Sequence, residues 1–240
     1  MKTKIHINPN FEHLRGDVES YLSTIGYGQP GNPSPEGRGA GPVKMQDIEV
    51  DVFWSTGSLW SGTLGARAKR QYNESLWLDA NGIDVPKAIG HVGIVVGGMV
   101  RKSLFLSQHR RLETPLSTLR GSFPQSQQAV GRFARTMHQL HRLGVFGDGM
   151  FLHNLKFESH TQKVVWTVDG RLSVRHESVP SGKAVKDLEV LELPAPNHRQ
   201  LIKSYLESAM ESAYDSFGHW AFYQDIQKWA DKQLQGTVWH

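Results

Sequence analysis

Between Ser126 and Asp169 the chain spells an order of elements that few folds accommodate: one long amphipathic helix, a glycine-interrupted loop and two short strands. Across Ser126 to Leu143, the residues Val130, Phe133, Ala134, Met137, Leu140 and Leu143 recur three or four apart, which predicts a helix with one apolar side. Gly144 supplies the stop, because glycine takes the left-handed conformation that ends helices. A loop from Val145 to His153 comes next, with Asp148 set between two glycines. Leu155 to Glu158 then reads as a short strand, Ser159 to Gln162 as a turn, and Lys163 to Asp169 as a strong strand.

The first half reads differently. Gly26 to Pro42 is so rich in Gly and Pro that it predicts loop or linker, separating a short amphipathic start, Phe11 to Ile25, from the remainder of the chain. Ile48 to Trp54 alternates apolar and acidic residues as on a half-buried strand, with Gln46-Asp47 suited to a turn before it. Ala66 to Asn81 carries Tyr72, Leu76 and Leu78 at roughly helical spacing, and Asn81-Gly82 ends it. Ile83 to Arg101 is β-rich, with Gly97-Gly98 as a hairpin turn. The tail from about Pro196 to Leu234 predicts helices, on which Tyr205, Tyr214, Phe217, Trp220, Phe222, Tyr223 and Trp229 read as packing residues. No internal repeat interrupts this strand, helix, strand, strand unit and the helices after it.

Composition narrows the function classes. The 240 residues include no cysteine, which removes disulfides, thiolate metal sites and cysteine nucleophiles and fits a reducing compartment. Met1 to Asn10 lacks the apolar core of a signal peptide, and no run approaches the roughly 20 apolar residues of a spanning helix, so a soluble, cytoplasmic protein is expected. The net charge is +4, with clusters at Arg67-Ala68-Lys69-Arg70 and His109-Arg110-Arg111. These suit nucleic acid, anionic lipid or a phosphorylated sugar, or are simply solvated faces. No serine elbow, Walker loop or dinucleotide fingerprint is present. Gly37, Gly39 and Gly41 could cradle phosphate, but the prolines just before them favour a linker. His138 and His141 stand three apart on a helix and lack a convergent third ligand, so they read as surface or helix-end histidines.

The helix, loop and strand order of the second half resembles the catalytic half of a kinase. There one carboxylate orients the attacking hydroxyl, a nearby Asn binds metal, and an Asp at a strand end holds magnesium across the phosphates. More specifically, the chain resembles the lipopolysaccharide kinase superfamily: Kdo and heptose kinases and their pseudomonad toluene-tolerance relatives. Leu143 to Leu155 looks like that family's catalytic loop, Val165 to Asp169 like its metal-binding strand, and Asn81 to Pro86 like its step after the first-lobe helix, which puts Glu74 near the usual ion-pairing glutamate. The resemblance implies an α+β, protein-kinase-like two-lobe fold. An N-terminal segment would span 1–42, a small β-rich N-lobe 43–115 and a larger helical C-lobe 116–240. It implies ATP and Mg2+ as cofactors, a lipopolysaccharide-core sugar or other small molecule as acceptor, and a cytoplasmic location that leaves open the inner face of the inner membrane. Nucleic acid is not the favoured partner. Asp148 would be the base; Asp169 with Asn154 or His153 would hold the metal.

The departures from the pattern bear on activity. An active kinase carries a Lys on its third strand that grips the phosphates and pairs with the helix Glu. Aligning Glu49 to Phe53 with that strand puts Asp51 in the Lys position, where an acid repels phosphate; Lys44, Lys69 and Arg67 are nearby substitutes, none in register. Kinases place Asn five residues after the catalytic Asp, whereas Asn154 stands six after Asp148. Either His153 takes the Asn place, or Asn154 keeps it and Gly149 replaces the base. Two further readings therefore stand beside a sugar kinase: a pseudokinase serving as a binding or scaffold module in the same pathway, and a basic nucleic-acid-binding protein.

Overall fold

The computed structural model describes residues 2–25, 37–38, 41–56, 67–96, 99–123, 126–146, 151–158, 160–161, 163–168 and 180–235. The chain divides into two compact units, Met1–Arg110 with Val168–Gly170, and Arg111–Thr167 with Arg171–His240.

The first unit is built on an antiparallel sheet. In chain order its elements are β1 (Lys2–Ile7), a 3-10 turn (Pro9–Leu14), α1 (Arg15–Thr24), β2 (Gly37–Arg38), β3 (Val43–Met45), β4 (Ile48–Thr56), α2 (Arg67–Ala80), β5 (Ala88–Val96) and β6 (Met99–Gln108). The sheet order is β1-β5-β6-β4-β2, with β3 also paired to β4. The Gly/Pro-rich stretch therefore holds one short strand, Gly37 and Arg38 pairing with Trp54 and Phe53; Gly39 lies outside the described residues. Alternation along β4 settles its two faces. Val50, Val52 and Trp54 join Leu14, Val18 and Leu22 in one core, beneath the 3-10 turn and α1. Phe53 turns the other way, against Ala68 and Tyr72 of α2. The expected turn at Gln46-Asp47 is present, with Gln46 at a φ of 50° and Met45 opposite Ile48.

The inward side of α2 is Ala68, Gln71, Tyr72, Glu74, Ser75 and Leu78, while Leu76, expected to face inward, is exposed. Gly82, at a φ of 78°, comes after the helix where the sequence placed its stop. Strands β5 and β6 pair as expected up to Val96 and Met99, and the Gly97-Gly98 turn itself lies outside the described residues. Strand β1 was not foreseen. It pairs with β5 through a close approach at Gly90, where a Cβ would lie 2.4 Å from the His6 carbonyl oxygen.

The second unit comprises β7 (Leu112–Glu113), α3 (Pro115–Leu119), α4 (Gln127–Arg142), α5 (Phe151–Asn154), β8 (Leu155–Glu158), β9 (Val164–Trp166), α6 (Ser181–Glu189), α7 (Ala195–Ala213) and α8 (Phe217–Gln235). The strands form a small antiparallel sheet in the order β7-β8-β9. Helix α4 buries Val130, Phe133, Ala134, Met137 and Leu140, the side its sequence predicted, and Gly144 ends it with a φ of 74°. Phe133 meets Phe157 of β8, and α4 packs along α7, which packs on α8.

Two expectations are overturned here. His138 and His141 are buried rather than on the surface, because α7 and α8 cover that side of α4, although His141 does stand in the helix's last turn. Of the tail aromatics Tyr205 is fully buried, but Tyr214 is 75% and Phe217 87% exposed and Trp220 is exposed too, with the Tyr214 and Trp220 rings beside each other.

Candidate functional site

In the first unit the kinase resemblance points to the β4 face under α2. Asp51 is buried there, opposite Ser107 of β6, and its Oδ1 lies 3.0 Å from Nδ1 of His109. A buried carboxylate needs such a partner, since an unpaired charge is costly to desolvate. The partner this fold supplies to Asp51 is His109. Two residues on, Phe53 is the β4 side chain that reaches α2, stacking beside Phe105 at 5.9 Å between ring centres. Where a strand lysine would meet a helix glutamate, this face carries a carboxylate bound to histidine and a phenyl ring packed on the helix.

The remaining candidates of this unit lie on α2 and β3. Glu74 is buried on α2. Lys44 is exposed on β3, in register with Glu49, and Lys69 is exposed on α2. One turn before Glu74, the buried Gln71 donates from Nε2 to the Val168 carbonyl at 3.3 Å, so α2 holds the residue preceding Asp169. Sequence reasoning passed over Gln71 because it looked only for a charged helix partner. Its signal was its place on the inward stripe between Ala68 and Tyr72. The basic cluster is also partly spent internally: Arg110 makes a two-armed ion pair with Asp84, and His109 serves Asp51.

In the second unit Asn154 ends α5 and is buried, whereas His153 beside it is exposed. The Asn154 carbonyl accepts from both the backbone N–H (2.7 Å) and the hydroxyl (2.9 Å) of Thr167. The loop end and the strand leading to Asp169 are therefore stitched together. Nδ2 of Asn154 makes no hydrogen bond among the described residues. Asp148 and Asp169 lie outside the described residues. Among those described, no cluster of three or more His, Asp or Glu residues could hold a metal ion.

Behind this loop end, α4 is fixed to α6 and α7 by a buried polar chain. Nε2–H of His141 donates to Oδ2 of Asp187 (3.2 Å), which leaves Nδ1 to accept from the Tyr205 hydroxyl (2.6 Å). Burial pushes the His141 pKa down, partly offset by Asp187, and pushes that of Tyr205 well above its ordinary value. His138 lies one turn earlier, with Nδ1 2.9 Å from the Ser208 hydroxyl and Nε2 3.4 Å from that of Ser212. Burial, then the nearby His141, Arg142 and His219, lower its pKa to about 3. Both imidazoles are committed to serine, tyrosine and aspartate partners, so neither acts as a metal ligand.

No protein-family model and no curated protein sequence matches the chain. Among solved structures it is similar to WaaP in complex with acyl carrier protein, at 16% identity and a TM-score of 0.57, over 97% of this chain and 99% of that one. The MAP kinase LmaMPK10 from Leishmania major also matches, at 10% identity and a TM-score of 0.43, over 84% of this chain and 67% of that one. The fold is mixed α+β and protein-kinase-like, as the order of helix, loop and strands implied.

Proposed function

We infer that this chain is a kinase-like protein that has lost the usual grip on nucleotide and serves the lipopolysaccharide-core pathway as a pseudokinase, a binding or scaffold module. The pathway rests on the fold shared over nearly the whole chain with WaaP, a lipopolysaccharide-core kinase. The loss of grip rests on one observation: beneath α2 the strand offers Asp51, bound to His109, and Phe53, packed on the helix, and neither binds phosphate. A carboxylate and a phenyl ring do not fit the ATP phosphates, so this strand gives ATP no anchor. The internal bond of His109 to Asp51 and the ion pair of Arg110 with Asp84 speak against a nucleic-acid surface at that cluster.

A second reading, an active sugar kinase using ATP and Mg2+, keeps Asp148 as base and Asp169 with His153 or Asn154 as metal ligands; in its favour, Asn154 is held at its carbonyl by the backbone N–H and hydroxyl of Thr167. Its acceptor would be a core sugar, met at the inner face of the membrane; no helix among the described residues is long and apolar enough to cross one. Thermal unfolding of the full chain with millimolar ATP, with and without Mg2+, separates the two. A ligand at 100 times its dissociation constant stabilises by about 2.7 kcal/mol, or about 5–10 °C for a chain of this size. The pseudokinase predicts no such shift. A magnesium-dependent rise of that size, abolished by Asp169→Ala, would overturn it in favour of the enzyme.

A further inference from the structure

We propose that His6 and His91 form a two-imidazole site for a late first-row transition-metal cation of the zinc, nickel or copper kind, on the α2 side of the β1 and β5 pair. The two residues are direct register partners across the antiparallel strands, so their side chains leave the sheet on the same face. Their ring centres are 5.1 Å apart with 30° between the planes. An imidazole nitrogen binds zinc at about 2.0–2.1 Å, with the ring centre about 1.1 Å behind it; two rings at the tetrahedral angle then stand about 5 Å apart. The 5.1 Å spacing meets this requirement on distance.

The backbone prepares this spacing. Gly90 precedes His91, and any side chain there would strike the His6 carbonyl. Tyr72 of α2 closes a third side, its ring 5.1 Å from His6 and 5.2 Å from His91. Neither imidazole makes a hydrogen bond to a described residue, unlike His109, His138 and His141, which are all engaged. Imidazole donors suit zinc, copper and nickel rather than magnesium or calcium. Two ligands leave the other coordination positions to water.

The charged groups around the pair set the sign of a second effect. Lys69 on α2 acts on His91, Lys4 shares the His6 face of β1, and Glu12 of the 3-10 turn, which feels His6, is engaged by Arg15. The Lys69 ammonium opposes a bound cation, so its removal should tighten binding, whereas loss of either imidazole should weaken it.

The test is a calorimetric titration of the full chain with zinc chloride near pH 7.5, in a buffer free of chelating amines. One zinc per chain is expected, weakened about tenfold or more in His6→Ala and strengthened in Lys69→Ala. His6 is exposed, so His6→Ala keeps the fold, which circular dichroism verifies. His13→Ala, which removes an imidazole elsewhere, should bind as the parent does. Zinc binding equal in the parent and His6→Ala, or absent in both, would overturn the site. The result is independent of nucleotide and of the functional reading above.

Discussion

Acid should loosen the second unit through His138, and the amount can be worked from its surroundings. The side chain is sealed between α4, α7 and α8, with Tyr205 5.3 Å and Phe222 6.3 Å from its ring. Ser212 donates its hydroxyl to the Ala209 carbonyl, so it accepts from Nε2–H of His138, and Nδ1 accepts from Ser208. The ring is thus neutral in the fold, with a pKa of about 3, and takes a proton near 6.5 once unfolded. Because the folded value is the lower one, the unfolded chain binds the proton first as pH falls. Stability is full above pH 6.5, declines between 6.5 and about 3, and levels off below. At about 1.4 kcal/mol per pH unit the loss approaches 4–5 kcal/mol, a large share of the 5–15 kcal/mol typical of a domain. Urea unfolding of the parent and of His138→Gln from pH 7.5 to 3.5 measures it. The variant should begin about 1–3 kcal/mol less stable, and the gap should close and then reverse as pH falls, since the parent loses more than that and Gln does not titrate. Parallel curves for the two proteins would show that His138 is not held neutral by burial.

Two further substitutions probe the frame of each unit. Gly90→Ala forces a methyl group to within 2.4 Å of the His6 carbonyl, so it should cost about 1–3 kcal/mol in chemical denaturation and speed amide exchange along β1. Asn197→Ala removes the donor that Nδ2 supplies to the carbonyls of Leu119 (2.6 Å) and Gly121 (3.0 Å); the Gly121 carbonyl keeps the Ser126 hydroxyl, but leaving the buried Leu119 carbonyl without this donor should cost about 1–3 kcal/mol by urea titration.

What could be read beforehand depended on whether local pattern and tertiary placement agreed. Helix α4 and strand β8 were legible to within a residue because apolar spacing, a glycine stop and β-formers all coincide with burial. Strand β1 was not, since Lys2, Thr3 and Lys4 look solvated and the strand exists through its pairing with β5, a contact some 85 residues away in the chain. The aromatic spacing of α8 looked like a core, but helical spacing says which residues share a face and not what covers it. At the candidate site, Asp51 was singled out from the sequence and is buried on its strand, while its partner His109 lay 58 residues away, beyond local pattern. Gln71 was missed because a neutral amide gives no charge signal, although its bond to the Val168 carbonyl ties α2 to the segment before Asp169.

The close seating of β1 against β5 also bears on handling the protein. Ala88 to Val96 reads AIGHVGIVV, without a formal charge or a proline, the composition of segments that pair with copies of themselves. In the fold one edge of this strand is bonded to β6 and the other to β1, whose exposed Lys2 and Lys4 make the outermost edge a poor template for further pairing. The N-terminal strand therefore works as a solubility guard: a shortened chain beginning after Asn8 would bare β5, and it should assemble into thioflavin-positive aggregates under conditions in which the full chain stays dispersed.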